Sequence, residues 1–317
     1  MAATIHPLPS GTRDVLPDEM RELRTVTAAL LDVFTGEGYG EVSTPALEHQ
    51  EVLQRGGGAA PAYRVMDDHG QVLALRPDMT VPIARLAATR YAVEEPPLRF
   101  CYVADVYRGV RPHRGQMREF LQAGVELVGA PSPAGTAEVL RVLCAALDAA
   151  GLAGYRVGIG DVALYPALLE TYSVPAQARE SLLRDLVDRD FVGLERELGR
   201  LDLPADARAT LVTVPSLRGS VEVLDGRPAT EGLRRVHDLL EPAVARRVLF
   251  DLGLTRDLGY YTGAVFEVYA PALGEPLGGG GRYDELLGRF GRPLPAVGFA
   301  LGVDKLHIAL TGEERTR

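Results

Sequence analysis

Two short segments near the carboxyl end of the chain place the strongest constraint on its fold. Residues 256–267 read Arg-Asp-Leu-Gly-Tyr-Tyr-Thr-Gly-Ala-Val-Phe-Glu, and residues 278–284 read Gly-Gly-Gly-Gly-Arg-Tyr-Asp. These segments bring together the hydroxyl groups of adjacent tyrosines, the guanidinium of an arginine, and glycine backbone that a ligand can approach closely. This combination favours a pocket for a small zwitterionic ligand. Periodicity equally allows a β-hairpin whose aromatic residues only pack in a core.

Composition limits the class of protein. A chain of 317 residues with 46% hydrophobic content can bury a core of one large or two ordinary domains. The formal charge of −9 argues against nucleic-acid binding through a globally basic surface. The two cysteines, Cys101 and Cys144, are too few for a disulfide framework and too far apart for a metal knuckle. With neither a signal peptide nor an apolar run of about 20 residues, we expect a soluble cytoplasmic protein.

Periodicity predicts helices and hairpins in the first part of the chain. Apolar residues recur at helical spacing over 22–34, and glycines then end the helix before an extended segment at Val42 that we expect at a sheet edge. Residues 63–75 predict a hairpin, because two apolar runs flank Asp-Asp-His-Gly. A helix is expected over 76–88.

A longer hairpin follows. Residues 98–107 and 117–128 predict its two strands, 134–150 an alanine- and leucine-rich helix, and 155–160 a short strand. This succession indicates a sheet covered by helices.

The zone 164–246 has a different character. Leucines recur there at helical spacing between prolines, without a strong strand signal, and strand and glycine patterns return at Val248. We therefore predict a sheet-based core made of residues 1–163 and 247–317, interrupted by a helical insertion at 164–246.

An arginine-rich loop lies between the strands of the longer hairpin. Residues 108–118 contain four arginines, Arg108, Arg111, Arg114 and Arg118, whose planar guanidinium groups suit a carboxylate or phosphate. A solvated surface turn is the alternative.

Polar residues of the following strand alternate with apolar ones. The period of two places Gln122, Gly124 and Glu126 on one face. These side chains either point toward whatever the arginine-rich loop covers or are simply solvated. Asp78 and Thr80 open the helix at 76–88, where an acidic first turn is also favoured by the helix dipole.

Metal and nucleophile chemistry have little support. The six histidines are scattered, and no pair has the helical spacing of metal ligands. The glycine run at 278–281 lacks the Gly-Lys-Ser/Thr of a phosphate-binding loop, and no Gly-x-Ser-x-Gly motif is found. We expect no metal, no cofactor and no catalytic nucleophile.

In order along the chain, these segments resemble the catalytic core of histidyl-tRNA synthetases. The resemblance rests on residues 11–17, 38–45, 75–80, 107–126, 256–267, 279–284 and 295–302. It implies the α+β fold of a class II aminoacyl-tRNA synthetase, an antiparallel sheet flanked by helices with a helical insertion. It also implies a dimer interface near the first long helix and the following strand.

The resemblance implies a histidine-binding set. Its members are Asp78, Thr80 and Gln122 toward the amino group, Glu126 and Tyr261 toward the imidazole, Arg256 near the carboxylate, and Arg108 and Tyr260 beside them. Asp78 replaces the glutamate usual in the synthetases, which shortens the reach of the carboxylate by one methylene.

The nucleotide positions depart from the synthetase pattern. Val110 stands where a glutamate reads adenine, and Lys305 stands where an arginine stacks on it, so weak nucleotide binding is expected. The chain ends at Arg317, which leaves no room after Lys305 for the anticodon-binding domain, and no tRNA partner is expected.

With these departures the chain resembles the regulatory subunits of ATP phosphoribosyltransferase. That resemblance implies a non-catalytic, self-dimerising subunit that assembles with a short catalytic transferase subunit in the first step of histidine biosynthesis and binds L-histidine. Two enzymatic alternatives stay open, a truncated histidine-activating enzyme and a synthetase-like carrier-modifying enzyme. ATP turnover by the isolated chain separates them from the regulatory hypothesis.

Overall fold

The structure is a computed structural model that describes residues 8–57, 62–109, 117–227, 229–255 and 259–314. In chain order, the described helices are α1 (Pro17–Gly36), α2 (Gln50–Arg55), α3 (Thr80–Thr89), α4 (Ala134–Ala149), α5 (Leu164–Thr171), α6 (Ala176–Val187), α7 (Phe191–Gly199), α8 (Ala205–Thr213), α9 (Glu231–Asp238), α10 (Pro242–Ala245) and α11 (Val303–Glu314). The described strands are β1 (Gly40–Glu41), β2 (Leu47–His49), β3 (Arg64–Met66), β4 (Val72–Leu75), β5 (Leu98–Tyr107), β6 (Glu119–Val128), β7 (Arg156–Asp161), β8 (Arg218–Gly219), β9 (Val248–Asp251), β10 (Ala264–Tyr269), β11 (Gly278–Arg282) and β12 (Ala296–Gly302).

A nine-stranded sheet forms the centre of the fold, in the order β1-β5-β6-β12-β11-β10-β7-β9-β8. Its neighbouring strands are antiparallel except for the parallel pairs β1–β5 and β7–β9. The β5–β6 hairpin is in register from Leu98 opposite Val128 to Tyr107 opposite Glu119. The predicted α+β fold with an antiparallel-dominated sheet flanked by helices is confirmed.

A separate three-stranded sheet, in the order β2-β4-β3, contains the predicted shorter hairpin. The Asp67 carboxylate accepts hydrogen bonds from the backbone N–H groups of His69 and Gln71 at 2.9 and 2.8 Å, and Gly70 adopts a φ of +78°. These local bonds close the turn, because an aspartate side chain can bond backbone groups just ahead of it and glycine tolerates a positive φ.

Helices α1 and α4 pack on one face of the central sheet. The buried residues of α1 are Leu23, Val26, Leu30 and Phe34, which recur at helical spacing. The Phe34 ring meets the Phe299 ring of β12 edge to face, with centroids 5.7 Å apart. Each fully buried apolar side chain of this kind contributes about 1.5–3 kcal/mol of transfer free energy. The apolar stripe of α1 therefore fixes the helix against the sheet.

Helices α5 to α10 lie between β7 and β9 along the chain, in the zone expected to be helical. The zone also contains strand β8, which pairs antiparallel with β9 at the edge of the central sheet. The sequence pattern missed β8, because two residues are too short for an alternation of period two. Arg218 of β8 donates to the Asp251 carboxylate of β9 at 2.7 Å. The division into core and insertion remains a prediction.

Strand β11, at the middle of the central sheet, consists of four glycines and Arg282. A Cβ atom built on Gly280 would lie 1.9 Å from the carbonyl oxygen of Gly298 in β12, a distance that no side chain can occupy. The glycine run therefore allows close approach of β12.

Among the described residues, no helix is both long and apolar enough to cross a membrane.

We expect Gly280→Ala to lower the free energy of unfolding by about 1–3 kcal/mol, because overpacking forces the two strands apart. The matched control is Gly274→Ala, where an added Cβ meets nothing within 4 Å and the change should stay within about 0.5 kcal/mol. Urea denaturation of both variants measures the difference. Equal stabilities would show that β11 has room for a side chain.

Candidate ligand-binding site

A cavity of about 540 Å³ opens on one face of the central sheet. Six of the predicted ligand-binding residues line it, namely Asp78, Thr80, Arg108, Gln122, Tyr260 and Tyr261. Glu126 lies beside this lining and is bonded to two lining residues, Thr80 and Tyr283. Arg256 lies outside the described residues, as do Val110, Arg111 and Arg114 of the arginine-rich loop.

Strand alternation on β6 positions the polar groups as the sequence predicted. Gln122 and Glu126 are both buried, at 6% and 1% exposure. Opposite Glu126, β12 carries Gly298, where an added Cβ would come within 1.9 Å of the Glu126 Oε2 atom. The glycine on the neighbouring strand thus provides the space that the buried carboxyl group occupies.

Glu126 is held by two hydroxyl groups. Thr80 Oγ1 donates to Glu126 Oε1 at 2.7 Å, and the Tyr283 hydroxyl donates to Glu126 Oε2. Burial raises the pKa of Glu126 from 4.5 to about 8, although both hydrogen bonds act to lower it. The carboxyl group is therefore mostly neutral at pH 7, and an N–H donor or a positive charge beside it would favour its ionised form.

Asp78 has a structural role as well as a place in the cavity wall. Its Oδ1 atom accepts the backbone N–H of Val81 at 3.1 Å and so caps the start of α3. Burial raises the pKa of Asp78, while the charge of Arg108 acts in the opposite direction. Arg108 is itself held in place, since its Nε donates to the Pro77 carbonyl at 3.0 Å and its guanidinium lies over the Phe120 ring, 5.0 Å from the centroid.

Tyr260 and Tyr261 were expected either to line a pocket or to pack in a core, and Tyr260 does both. Tyr260 is 5% exposed and belongs to a hydrophobic core cluster, yet it also lines the cavity. Its ring centroid lies 4.9 Å from that of Tyr261 and 5.8 Å from that of Tyr283. Burial raises the pKa of Tyr260 well above its ordinary value, so the phenol remains protonated. Core packing and cavity lining are thus combined in one aromatic group.

Tyr283 is a site residue that the sequence analysis does not predict, although it lies in the Gly-Gly-Arg-Tyr-Asp segment. The available signal is a phenol two residues after a glycine run, because such a run allows close approach of the backbone. The hydrogen bond from Tyr283 to Glu126 joins residues 157 positions apart, which no local pattern reveals.

Ion pairs occupy the outer part of the cavity wall. Arg13 contacts Glu19 at 2.5 Å and Asp304 at 2.6 Å, and Asp304 also accepts the backbone N–H of Leu121 at 3.1 Å. Lys305 donates to the Pro276 carbonyl at 3.0 Å and pairs with Glu275 at 3.1 Å. Both cations are therefore already neutralised by carboxylates of this chain.

The described residues hold no group of three or more histidine, cysteine, aspartate or glutamate side chains positioned for a metal ion. The cavity wall combines neutral or hydrogen-bonded polar groups, Thr80, Gln122 and the tyrosines, with paired charges, and Glu126 lies beside it. This arrangement suits a small polar molecule with N–H donors.

Comparison with known proteins gives a consistent set of matches. A family model described as Histidyl-tRNA synthetase matches residues 11–306. The ATP phosphoribosyltransferase regulatory subunit of Symbiobacterium thermophilum is 45% identical over 317 residues, which covers 95% of this chain and 79% of that protein. The protein of the same name from Moorella thermoacetica is 43% identical over 316 residues, covering 95% of this chain and 81% of that protein.

Solved structures agree with these matches. An ATP phosphoribosyltransferase regulatory subunit/histidyl-tRNA synthetase from Bacillus halodurans superposes with a TM-score of 0.90 at 34% identity, covering 98% of this chain and 84% of that chain. The histidyl-tRNA synthetase of Nostoc superposes with a TM-score of 0.77 at 25% identity, covering 95% of this chain and 74% of that chain.

The raised pKa of Glu126 predicts a specific pH dependence of stability. In the unfolded chain Glu126 has its ordinary pKa of 4.5 and is ionised above it, whereas in the folded chain it keeps its proton up to about pH 8. The folded state therefore loses stability as pH rises between these two pKa values. Each pH unit should lower the folding equilibrium constant of the wild type by up to about tenfold relative to Glu126→Gln. Urea denaturation of both proteins from about pH 5.5 to about pH 8 measures this ratio.

Glu37→Gln is the control for this experiment. The hydrogen bond from Arg141 lowers the pKa of Glu37, so this carboxylate is ionised in both the folded and the unfolded state above about pH 5.5. Its stability difference from the wild type should therefore be constant over the same range. A constant difference for Glu126→Gln as well would contradict the assignment of a neutral buried carboxyl group.

Proposed function

The chain belongs to the family of ATP phosphoribosyltransferase regulatory subunits, which share the histidyl-tRNA synthetase core, and from this premise we propose that it is a non-catalytic regulatory subunit in the first step of histidine biosynthesis. Its partner is the short-form catalytic subunit, a phosphoribosyl-transferring enzyme of the glycosyltransferase class. The cavity binds L-histidine as a feedback signal. The observation that carries this proposal is the buried Glu126 carboxyl group, bonded to Thr80 and Tyr283 beside the cavity.

The polar groups of the cavity match the groups of histidine. The amino group has acceptors in Asp78 and Gln122 and a hydroxyl neighbour in Thr80, all in the cavity wall. The imidazole N–H finds an acceptor in Glu126, next to Tyr261. A site that hydrogen-bonds a ligand N–H rejects analogues that lack it, because its own buried polar groups would stay unpaired. Arg256 is proposed for the carboxylate on the basis of the family resemblance.

The paired charges of the outer cavity support a non-catalytic role. A nucleotide triphosphate would need free cations, but Arg13 and Lys305 already contact Asp304 and Glu275 at 2.6 and 3.1 Å. Breaking such pairs to bind phosphate would leave carboxylates of this chain next to the ligand's negative charge. Nucleotide binding is therefore weak, and the chain acts through its partner.

Feedback control requires a coupling free energy between the cavity and the contact with the transferase. Such couplings are typically about 1–3 kcal/mol and are reciprocal, so histidine must also change the affinity or the conformation of the assembly. A self-dimer assembled with several catalytic subunits is the proposed form of the complex.

Asp78→Asn tests the sensor. We expect its affinity for histidine to fall at least about tenfold in calorimetry, because the variant loses a charged acceptor for the ammonium group. The assembled transferase should keep its histidine-free activity and lose most of its inhibition. Asp161→Asn is the matched control, since Asp161 also accepts a backbone N–H at a helix start, from Ala163 at 2.9 Å. Full inhibition of an Asp78→Asn assembly that no longer binds histidine at this cavity would place the sensor on the partner.

A truncated histidine-activating enzyme is the second candidate, favoured by the retention of Arg108 in the cavity wall. We expect no histidine-dependent ATP–pyrophosphate exchange by the purified chain, because the cations of the outer cavity are neutralised internally. Isotope exchange with a histidyl-tRNA synthetase as positive control measures it. Exchange at a comparable rate would reject the regulatory function.

A further inference from the structure

Two buried oxygen atoms in the cavity wall have no hydrogen-bond partner among the described residues, the hydroxyl of Tyr102 and the Oε1 atom of Gln122. Tyr102 is 0% exposed and Gln122 is 6% exposed, and both line the cavity. Leaving a buried polar atom unpaired is costly, and native proteins pair most of their buried polar atoms. The pair therefore points to a ligand group that bonds both oxygens.

The sheet places the two residues next to each other. Tyr102 of β5 pairs with Gly124 of β6, and Ala104 pairs with Gln122, so Tyr102 and Gln122 are diagonal neighbours on one face. A Cβ atom on Gly124 would come within 2.6 Å of the Tyr102 hydroxyl. The glycine thus leaves the space in which the phenol oxygen lies.

Acidic side chains lie near Tyr102. Burial is the main cause that raises the pKa of Tyr102 well above its ordinary value, with Glu126 and Asp78 acting in the same direction and the charge of Arg108 acting against them. The phenol therefore stays neutral, and its oxygen remains able to accept a hydrogen bond. Asp78, in the same cavity wall, adds a carboxylate acceptor.

A primary ammonium group is the ligand chemistry that fits these acceptors. It carries one positive charge and three N–H donors, which match one carboxylate, one amide oxygen and one phenol oxygen. We propose that Tyr102 determines ligand specificity by accepting a hydrogen bond from the ligand's ammonium group, with Asp78 and Gln122 as the other two acceptors. This rests on the proposed function in that the ligand is an amino acid, and it adds a residue that family resemblance did not assign.

Tyr102→Phe tests the proposal through two measurements, the melting temperature without ligand and the affinity for ligands. Without ligand, the variant should melt at the same temperature as the wild type or higher, because it removes an unpaired buried hydroxyl. Its affinity for L-histidine should fall about tenfold, the value of one hydrogen bond to a charged group. Its affinity for 3-(imidazol-4-yl)propionate, which lacks the amino group, should not change.

The matched control is Tyr165→Phe. Tyr165 is 2% exposed and its hydroxyl donates to the Leu211 carbonyl at 3.0 Å, away from the cavity lining. This variant should melt at a lower temperature and bind both ligands like the wild type. Together the two variants separate loss of a structural hydrogen bond from loss of a ligand contact.

Three outcomes overturn the role of Tyr102: a lower melting temperature for ligand-free Tyr102→Phe, an unchanged affinity for histidine, or equal weakening of both ligands. Failure of L-histidine to bind the wild-type protein in the same calorimetry overturns the proposed ligand instead. The two failures are distinct, because the first three are measured on a wild type that binds histidine.

Discussion

The hydrogen bonds that Thr80 and Tyr283 donate to buried Glu126 join three separated parts of the chain. Thr80 opens α3, Glu126 lies on β6 of the central sheet, and Tyr283 directly follows β11. A carboxyl group in this position is costly unless it is neutral or fully bonded. The chain uses both means, since burial raises the pKa of Glu126 and two hydroxyl groups bond to it. Glycine at position 298 completes the arrangement, because any larger residue would displace the carboxyl group.

A second set of interactions ties together charged side chains of the cavity wall. Here Arg13 and Lys305 are engaged by carboxylates and a carbonyl of the same chain. The same contacts fix the amino-terminal segment and α11 to the cavity edge, since Arg13 reaches Asp304 of α11. Internal pairing thus gives these side chains a structural role.

Local patterns predicted much of the fold. Strands β5 and β6 are long and alternate regularly, so both ends of the hairpin were predicted within two residues, and the shared face of Gln122 and Glu126 followed from the period of two. Contacts between distant residues could not be predicted in this way. The pair Arg13–Asp304 spans 291 positions, and the two-residue strand β8 carries no periodic signal. The predicted ligand-binding set came from family resemblance, because spacing alone left a solvated strand and an acidic helix start open.

Both hydrophobic clusters of the described residues contribute to the cavity wall, the larger one through Leu277 and Phe299 and the smaller one through the tyrosines. Tyr102, Tyr260 and Tyr283 belong to the smaller cluster, together with Met79 and Ile83 at the start of α3. The larger cluster also contains buried residues of α1 and α4. Close-packed interiors transmit displacement to their direct neighbours. A ligand that bonds Tyr102 or draws a proton from Glu126 therefore acts directly on the smaller cluster, and so on α3 and the residues packed beside it.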